Sequence, residues 1–212
     1  MRPLRIEWTF TSPVILPGHT LHLDGLLAWA RVEEEKYDPD PLAAIEDLPL
    51  ARDNGVWQAS QIFMSPASTP FMTHMVRQLE LDALALDQGV LYSGDRNSFQ
   101  KGSGSMKSYN LLFPTQWMDK AEAWCIGDQE RLIELLARVK SLGKKGLNGY
   151  GKVRGCKVEP AAMEEIEKWR LRALPPDKGM EMPGVEYAPV IQTLSPPYWD
   201  ISKRTAAVMP II

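Results

Sequence analysis

Residues 121–159 read AEAWCIGDQERLIELLARVKSLGKKGLNGYGKVRGCKVE, and the order of elements within them decides the fold. Ala121–Ile126 has the apolar content of a short strand, which Gly127-Asp128 stops. Asp128 carries the short acceptor side chain that caps a helix N-terminus. After it Leu132, Leu135, Leu136 and Val139 recur at helical spacing and form one apolar stripe, and Lys140 suits the negative end of the helix dipole. The helix runs into a glycine-rich loop from Gly143, and Val153–Glu159 reads as a returning strand.

Near the N-terminus, Leu4–Phe10 alternates apolar and polar, with Leu4, Ile6, Trp8 and Phe10 on one face, as a half-buried strand requires. Beyond the Pro17-Gly18 turn, Leu23, Leu26, Leu27 and Ala30 give a short amphipathic helix, closed by the charged run Glu33–Lys36. An acidic, proline-containing segment around Tyr37–Pro49 follows, and Val56–Met64 reads as a second strand ended by Ser65-Pro66. Strand, helix, strand, insertion, strand, helix, strand is the order of a ferredoxin-like βαββαβ unit, so the expected fold is a single α+β domain over residues 1–159.

The insertion, about 89–114, offers two strand-like pieces, Val90–Tyr92 and Ser108–Phe113, joined by SGDRNSFQKGSGSMK. Its glycines and serines cannot fill a core, so a projecting thumb hairpin is expected. Arg96, Lys101 and Lys107 lie there beside Phe99 and Tyr109, a mixture of cations and aromatic faces that suits single-stranded nucleic acid. A solvated loop with scattered charge has the same composition. The extension 160–212 holds one helix, Ala161–Leu174, and a proline-rich stretch expected to pack on the same domain.

A chain of 212 residues with 44% apolar content can bury one substantial core. No apolar run approaches the roughly 20 residues of a membrane helix, and MRPLRIEWTF lacks the hydrophobic stretch of a signal peptide, so a cytoplasmic protein without a membrane partner is expected. Cys125 and Cys156 form no CxxC pair and read as buried thiols. Among His19, His22 and His74, the spacing His19-x-x-His22 lacks a third ligand, so neither metal nor cofactor is expected. The net charge of −3 argues against a nucleic-acid binder until its distribution is considered. Lys140, Lys144, Lys145, Lys152, Arg154 and Lys157 form a run with no acidic residue, while Glu33, Glu34, Glu35, Asp38, Asp40, Glu46 and Asp47 concentrate the negative charge elsewhere.

The loop Gly146–Val153 nearly matches the phosphate-loop pattern G-x-x-x-x-G-K-[ST], but Val153 has no hydroxyl for Mg²⁺. The loop also follows a helix and precedes a strand, the reverse of a phosphate loop, and a dinucleotide fingerprint over Gly149–Gly155 fails for the same reason. The remaining chemistry is contact with a phosphate chain. Gly146, Gly149 and Gly151 permit close approach, Lys144, Lys145, Lys152 and Arg154 supply charge, Asn148 adds a polar side chain, and Tyr150 offers a face on which a base can stack. The competing reading is a surface turn with solvated lysines.

A ferredoxin-like unit whose second helix enters a G-K-K-x-x-x-G-Y-G-K-V loop resembles the RAMP superfamily of CRISPR RNA-binding proteins. The segment Leu21–Ala28 (LHLDGLLA), the thumb-like FQKGSGSMKSYN from Phe99 and the GYGKV loop are together most similar to the small type IV subunit at the 5′ end of the guide RNA. The similarity follows element order over Leu4–Val158. It implies a subunit that grips the 5′ handle of a crRNA, caps a filament of backbone subunits and contacts neighbouring backbone and large subunits, in a complex that binds target DNA by guide pairing. Carried onto this chain, the glycine loop would hold the handle and the thumb around Phe99–Lys107 would wedge at the handle–spacer boundary. His22 and Asp24 match the helix motif, where either packing or RNA contact would suit them.

Some RAMP proteins cut precursor RNA with a histidine near the groove, and His22 is the residue such an endoribonuclease would use here. It stands at the start of an amphipathic helix without an evident partner, so the expected protein is not an enzyme. A third class, a protein-interaction module without RNA, rests on the acidic segment Glu33–Asp47 and on Tyr187, Tyr198 and Trp199 of the tail.

Overall fold

The computed structural model describes residues 1–18, 20–35, 40–77 and 107–211. The chain divides into two compact units, Met1–Thr69 with Gln116–Ile212, and Pro70–Thr115.

The first unit is built on a four-stranded antiparallel sheet of β1 (Arg2–Phe10), β5 (Phe63–Pro66), β8 (Met118–Gly127) and β9 (Val153–Pro160), in the spatial order β5–β8–β1–β9. Helix α1 (Leu23–Glu34) follows β1 and α3 (Gln129–Leu136) follows β8; the short α2 (Pro41–Glu46) lies between them in sequence. The alternation read in β1 is realised: Leu4, Ile6, Trp8 and Phe10 are buried and meet Leu23, Leu27, Leu132, Leu135, Leu136 and Val139 in one apolar cluster. Asp128 caps α3, accepting from the backbone N–H of Glu130 and Arg131 at 3.0 and 3.2 Å. Lys140 donates to the Ala137 carbonyl at 2.6 Å, completing the helix end as its charge suggests.

The opposite face of β1 and β8 is used as well. Arg5, in register with Trp124, donates to Glu122 at 2.5 Å through Nη2, and Trp124 packs at 5.9 Å from the Phe63 ring and under the Lys168 ammonium. Ile126 on this face joins a second apolar cluster with Trp169, Leu174, Met180, Tyr187 and Val208, all from the C-terminal extension. The extension therefore gives β8 two buried faces, which explains its nearly continuous apolar run.

Several boundaries differ from the sequence reading. Val56–Met64 is two pieces. Val56–Trp57 (β4) pairs with Arg52–Asp53 (β3) across Asn54-Gly55, both at positive φ, a two-residue hairpin whose Asn-Gly signal was present in the sequence. Phe63–Pro66 then pairs with β8 and runs through Ser65-Pro66, because β5 is an edge strand where proline's missing N–H leaves no partner unsatisfied. The expected helix Ala161–Leu174 is a 3₁₀ helix, Met163–Arg170, whose in-line geometry suits the pairs Glu165–Lys168 at 2.9 Å and Glu167–Arg170 at 2.8 Å. The tail then forms a hairpin of β10 (Tyr187–Gln192) and β11 (Thr205–Pro210), tied to Leu174 by two backbone hydrogen bonds with Val208.

In the second unit, β7 (Tyr109–Gln116) pairs with β6 (Phe71–Arg77), in register from Phe71↔Thr115 to Arg77↔Tyr109. The expected strand Ser108–Phe113 is present, but its partner is a strand the sequence reading did not mark; Val90–Tyr92 lies outside the described residues.

The acidic segment at the end of α1 is neutralised on the helical layer by arginines of α1, of α3 and of the turn that follows α3. Glu34 accepts from Arg131 and Arg31 and, at 3.2 Å, from Arg138. The hydrogen bond from Arg131, helped by that from Arg31, outweighs burial and holds the Glu34 carboxyl down to about 2. A depressed carboxyl stabilises the fold above its unfolded-state value and loses that contribution as pH falls through about 4.5 towards 2. Glu34→Gln is therefore expected to lower stability by about 1 kcal/mol at pH 7, typical of a networked surface pair, and the difference from wild type should shrink in urea titrations taken at falling pH. A difference that stays undiminished as the pH falls to 2 would refute this origin.

Candidate nucleic-acid interface

After α3 the chain turns back on itself. Ser141 and Lys152 form an antiparallel bridge, and the Leu142 N–H donates to the Gly151 carbonyl at 2.9 Å. The tip between them is one 3₁₀ turn, Gly146–Asn148, entered by Lys145 at φ 62° and left by Gly149 at φ 94°. The base of the loop docks on the segment after β1: the N–H of Lys144 donates to Ile15 O, that of Gly151 to Pro13 O, and that of Lys152 to Ser12 Oγ, at 3.2, 2.8 and 2.8 Å. These bonds fix the loop to the sheet.

The glycines divide accordingly. A Cβ at Gly151, whose φ is +60°, would collide with the Leu142 carbonyl oxygen, and one at Gly146 with Ser141 Oγ. At Gly143 it would stand 2.7 Å from Val14 and 2.8 Å from the Ile15 carbonyl oxygen. Packing accounts for these three. Gly149 has nothing within 4 Å of such an atom and Gly155 only Thr9 Oγ1 at 3.8 Å, so these two leave open surface.

Lys144, Lys145, Asn148, Gly149 and Arg154 are exposed; Gly146, Tyr150 and Lys152 are half-buried and Gly151 is buried. The structure thus gathers the residues read from the loop on one turn and on the start of the strand that leaves it, where Arg154 lies. Lys107 is exposed in the other unit, while Arg96, Phe99 and Lys101, like His19, lie outside the described residues.

The HLDG motif has a separate explanation. Asp24 in the first turn of α1 and Arg172 of the extension are both fully buried and paired at 3.1 Å. The guanidinium also donates to the carbonyls of Trp57, Ala59 and Leu194 and to Tyr198 Oη, which donates in turn to Asp24 at 2.8 Å. Burial opposes charge on Arg172, yet Asp24 and Tyr198 raise its pKa. Burial drives the Tyr198 phenol well above its ordinary value, so it stays a donor. His22 is stacked on the Tyr198 ring at 4.3 Å, and a Cβ at Gly25 would come within 3.1 Å of that ring. His22 is 5% exposed. The motif holds the tail against α1.

Beside this anchor lies a feature with no sequence signal, a cleft of about 590 Å³ between α1 (His22, Gly25, Leu26, Trp29), the loop base Ser141–Gly143 and the tail turn Pro196–Trp199. Its walls come from three segments distant in sequence. Cys125 and Cys156 take no part in it, and burial pushes both thiols up to about 12. No group of three or more metal-ligating side chains occurs among the described residues, and no helix among them is long and apolar enough to cross a membrane.

Compared with known proteins, the family model of the CRISPR type IV associated protein Csf3 matches residues 2–210. No curated protein matches the chain.

Proposed function

The chain belongs to the Csf3 family of CRISPR type IV associated proteins, and we propose that it is the non-catalytic, guide-RNA-binding subunit of a type IV effector complex. In this reading it grips the 5′ handle of the crRNA with the loop Gly143–Gly155, caps the filament of backbone subunits and touches the large subunit. Target DNA is held in the same complex by guide pairing. The sheet order β9–β1–β8–β5, with α1 after β1 and α3 after β8, supports a ferredoxin-like, RAMP-type core, since it places the fourth, first, third and second strands of a βαββαβ unit side by side.

The observation that carries the reading is the loop itself: Lys144 and Lys145 are presented on a turn, with Arg154 at the start of the strand that leaves it, and the loop base is fixed by hydrogen bonds from its backbone N–H groups to the carbonyls of Ile15 and Pro13 and to Ser12 Oγ. Pre-organised cations lose little freedom on meeting a phosphate chain, which is what phosphate contacts need in order to contribute affinity. Burial of His22 against Tyr198 supports a role without RNA cleavage.

The test is titration of the full chain with its repeat RNA across a salt series. Lys144→Ala/Lys145→Ala/Lys152→Ala should weaken binding and flatten the logarithmic salt slope by about 2, since each single-strand phosphate contact contributes roughly 0.7. The RNA should emerge uncut. An unchanged affinity and slope would remove the loop from the interface, and a single defined cut would overturn the non-catalytic assignment.

A further inference from the structure

The cleft beside the loop adds a ligand class to the phosphate contacts. Two indoles line it while remaining open to solvent: Trp29 of α1 is 46% exposed and Trp199 of the tail turn 82%. Tyr198, next to Trp199, is held by hydrogen bonds to Asp24 and Arg172. The anchor fixes the tail turn so that Tyr198 points in and Trp199 stays out. The volume, about 590 Å³, falls within the roughly 300–1,000 Å³ of small-ligand sites.

Charge at the rim has one sign where it meets the loop. Gly143 lines the cleft, Lys144 follows it, and the Lys144 ammonium lies 3.5 Å from where a Cβ on Gly18 would stand, just before Thr20, which also lines the cleft. Asp200, the acid next to Trp199, is turned to its own helix end, accepting from the Ser202 N–H and Oγ at 3.0 and 2.6 Å. Flat aromatic faces next to a cation on a phosphate-binding loop suit a planar, unpaired base still attached to its backbone.

We infer that the cleft bounded by Trp29, Trp199 and Gly143 receives one unpaired nucleobase of the same RNA strand whose phosphates the loop holds, with the base stacked on an indole face and its phosphate beside Lys144. This rests on the RNA-binding reading of the loop. It adds a position at which the strand is splayed and its base removed from neighbour stacking.

The test uses the full chain and its repeat RNA carrying 2-aminopurine at one position at a time. Binding should quench the fluorescence at one position or two adjacent ones, and Trp29→Ala and Trp199→Ala should each restore it. Both indoles are partly solvent-exposed, so these substitutions spare the core, and the quenching itself needs no variant. Each should weaken RNA binding about ten-fold, as loss of one aromatic–base stack does, with the salt slope unchanged because phosphate contacts remain. Quenching at no position, or quenching that survives both substitutions, overturns the inference. So does full RNA affinity in the tryptophan variants combined with loss of a neighbouring protein subunit, which would make the occupant a protein segment. If the lysine variant loses binding while no base is quenched, the cleft assignment alone fails; if the lysine variant binds as wild type, the loop reading fails first.

Discussion

Arg172→Met should lower stability by about 3–5 kcal/mol, the cost of stranding a buried charge. The substitution leaves Asp24, with no exposed surface, facing only the Tyr198 hydroxyl and the Gly25 N–H, and it takes the guanidinium donor from the carbonyls of Trp57, Ala59 and Leu194. Arg172→Lys should not rescue, because one ammonium cannot reproduce a planar fork that serves five groups on three segments. Removing both charges should: Asp24→Leu/Arg172→Met is expected to recover much of the loss, since apolar replacement of a buried pair is often close to neutral. Urea unfolding of wild type, Asp24→Leu, Arg172→Met and the double variant supplies the cycle. A loss below 1 kcal/mol for Arg172→Met would show that the tail is held by its apolar contacts instead. The same variant should become sensitive to limited proteolysis after Pro160, because Arg172 and Tyr198 join the extension to α1.

Gly151→Ala should cost about 2–4 kcal/mol, combining a left-handed φ that alanine resists with a collision against the Leu142 carbonyl. The loop must open to accommodate the methyl group, and in opening it gives up the bonds from Leu142 to Gly151 and from Gly151 to Pro13. Gly149→Ala is the control. Its φ of +94° is also strained for alanine, but nothing stands within 4 Å, so about 1 kcal/mol is expected. For a chain of this size each kcal/mol shifts the melting midpoint by about 2–4 °C, which separates the two variants in a thermal melt. Equal shifts would mean that the close packing at the loop base contributes nothing. RNA affinity should follow the same order, because an opened loop no longer holds Lys144 and Lys152 in place.

Elements whose signals are local can be read from the residues alone. The alternation of β1, the Asp128 cap, the apolar stripe of α3 and the return of β9 are periodicities and short-range hydrogen bonds, so they can be read without knowing what packs against them. The Asn54-Gly55 hairpin is equally local, but the run Val56–Met64 that follows it reads as one continuous strand and hides the short pairing of Val56–Trp57. The basic glycine loop was legible as a charge and conformation pattern. What its glycines do depends on packing, since Gly143, Gly146 and Gly151 face atoms of Val14, Ser141 and Leu142 that the fold brings back to them. The tertiary structure alone gave His22 and Asp24 their role, because Arg172 and Tyr198 lie well over a hundred residues away and a buried ion pair leaves no periodic trace. The cleft with Trp29 and Trp199 has no sequence signal, because its walls come from three segments distant in the chain, one of them anchored by the Asp24–Arg172 pair.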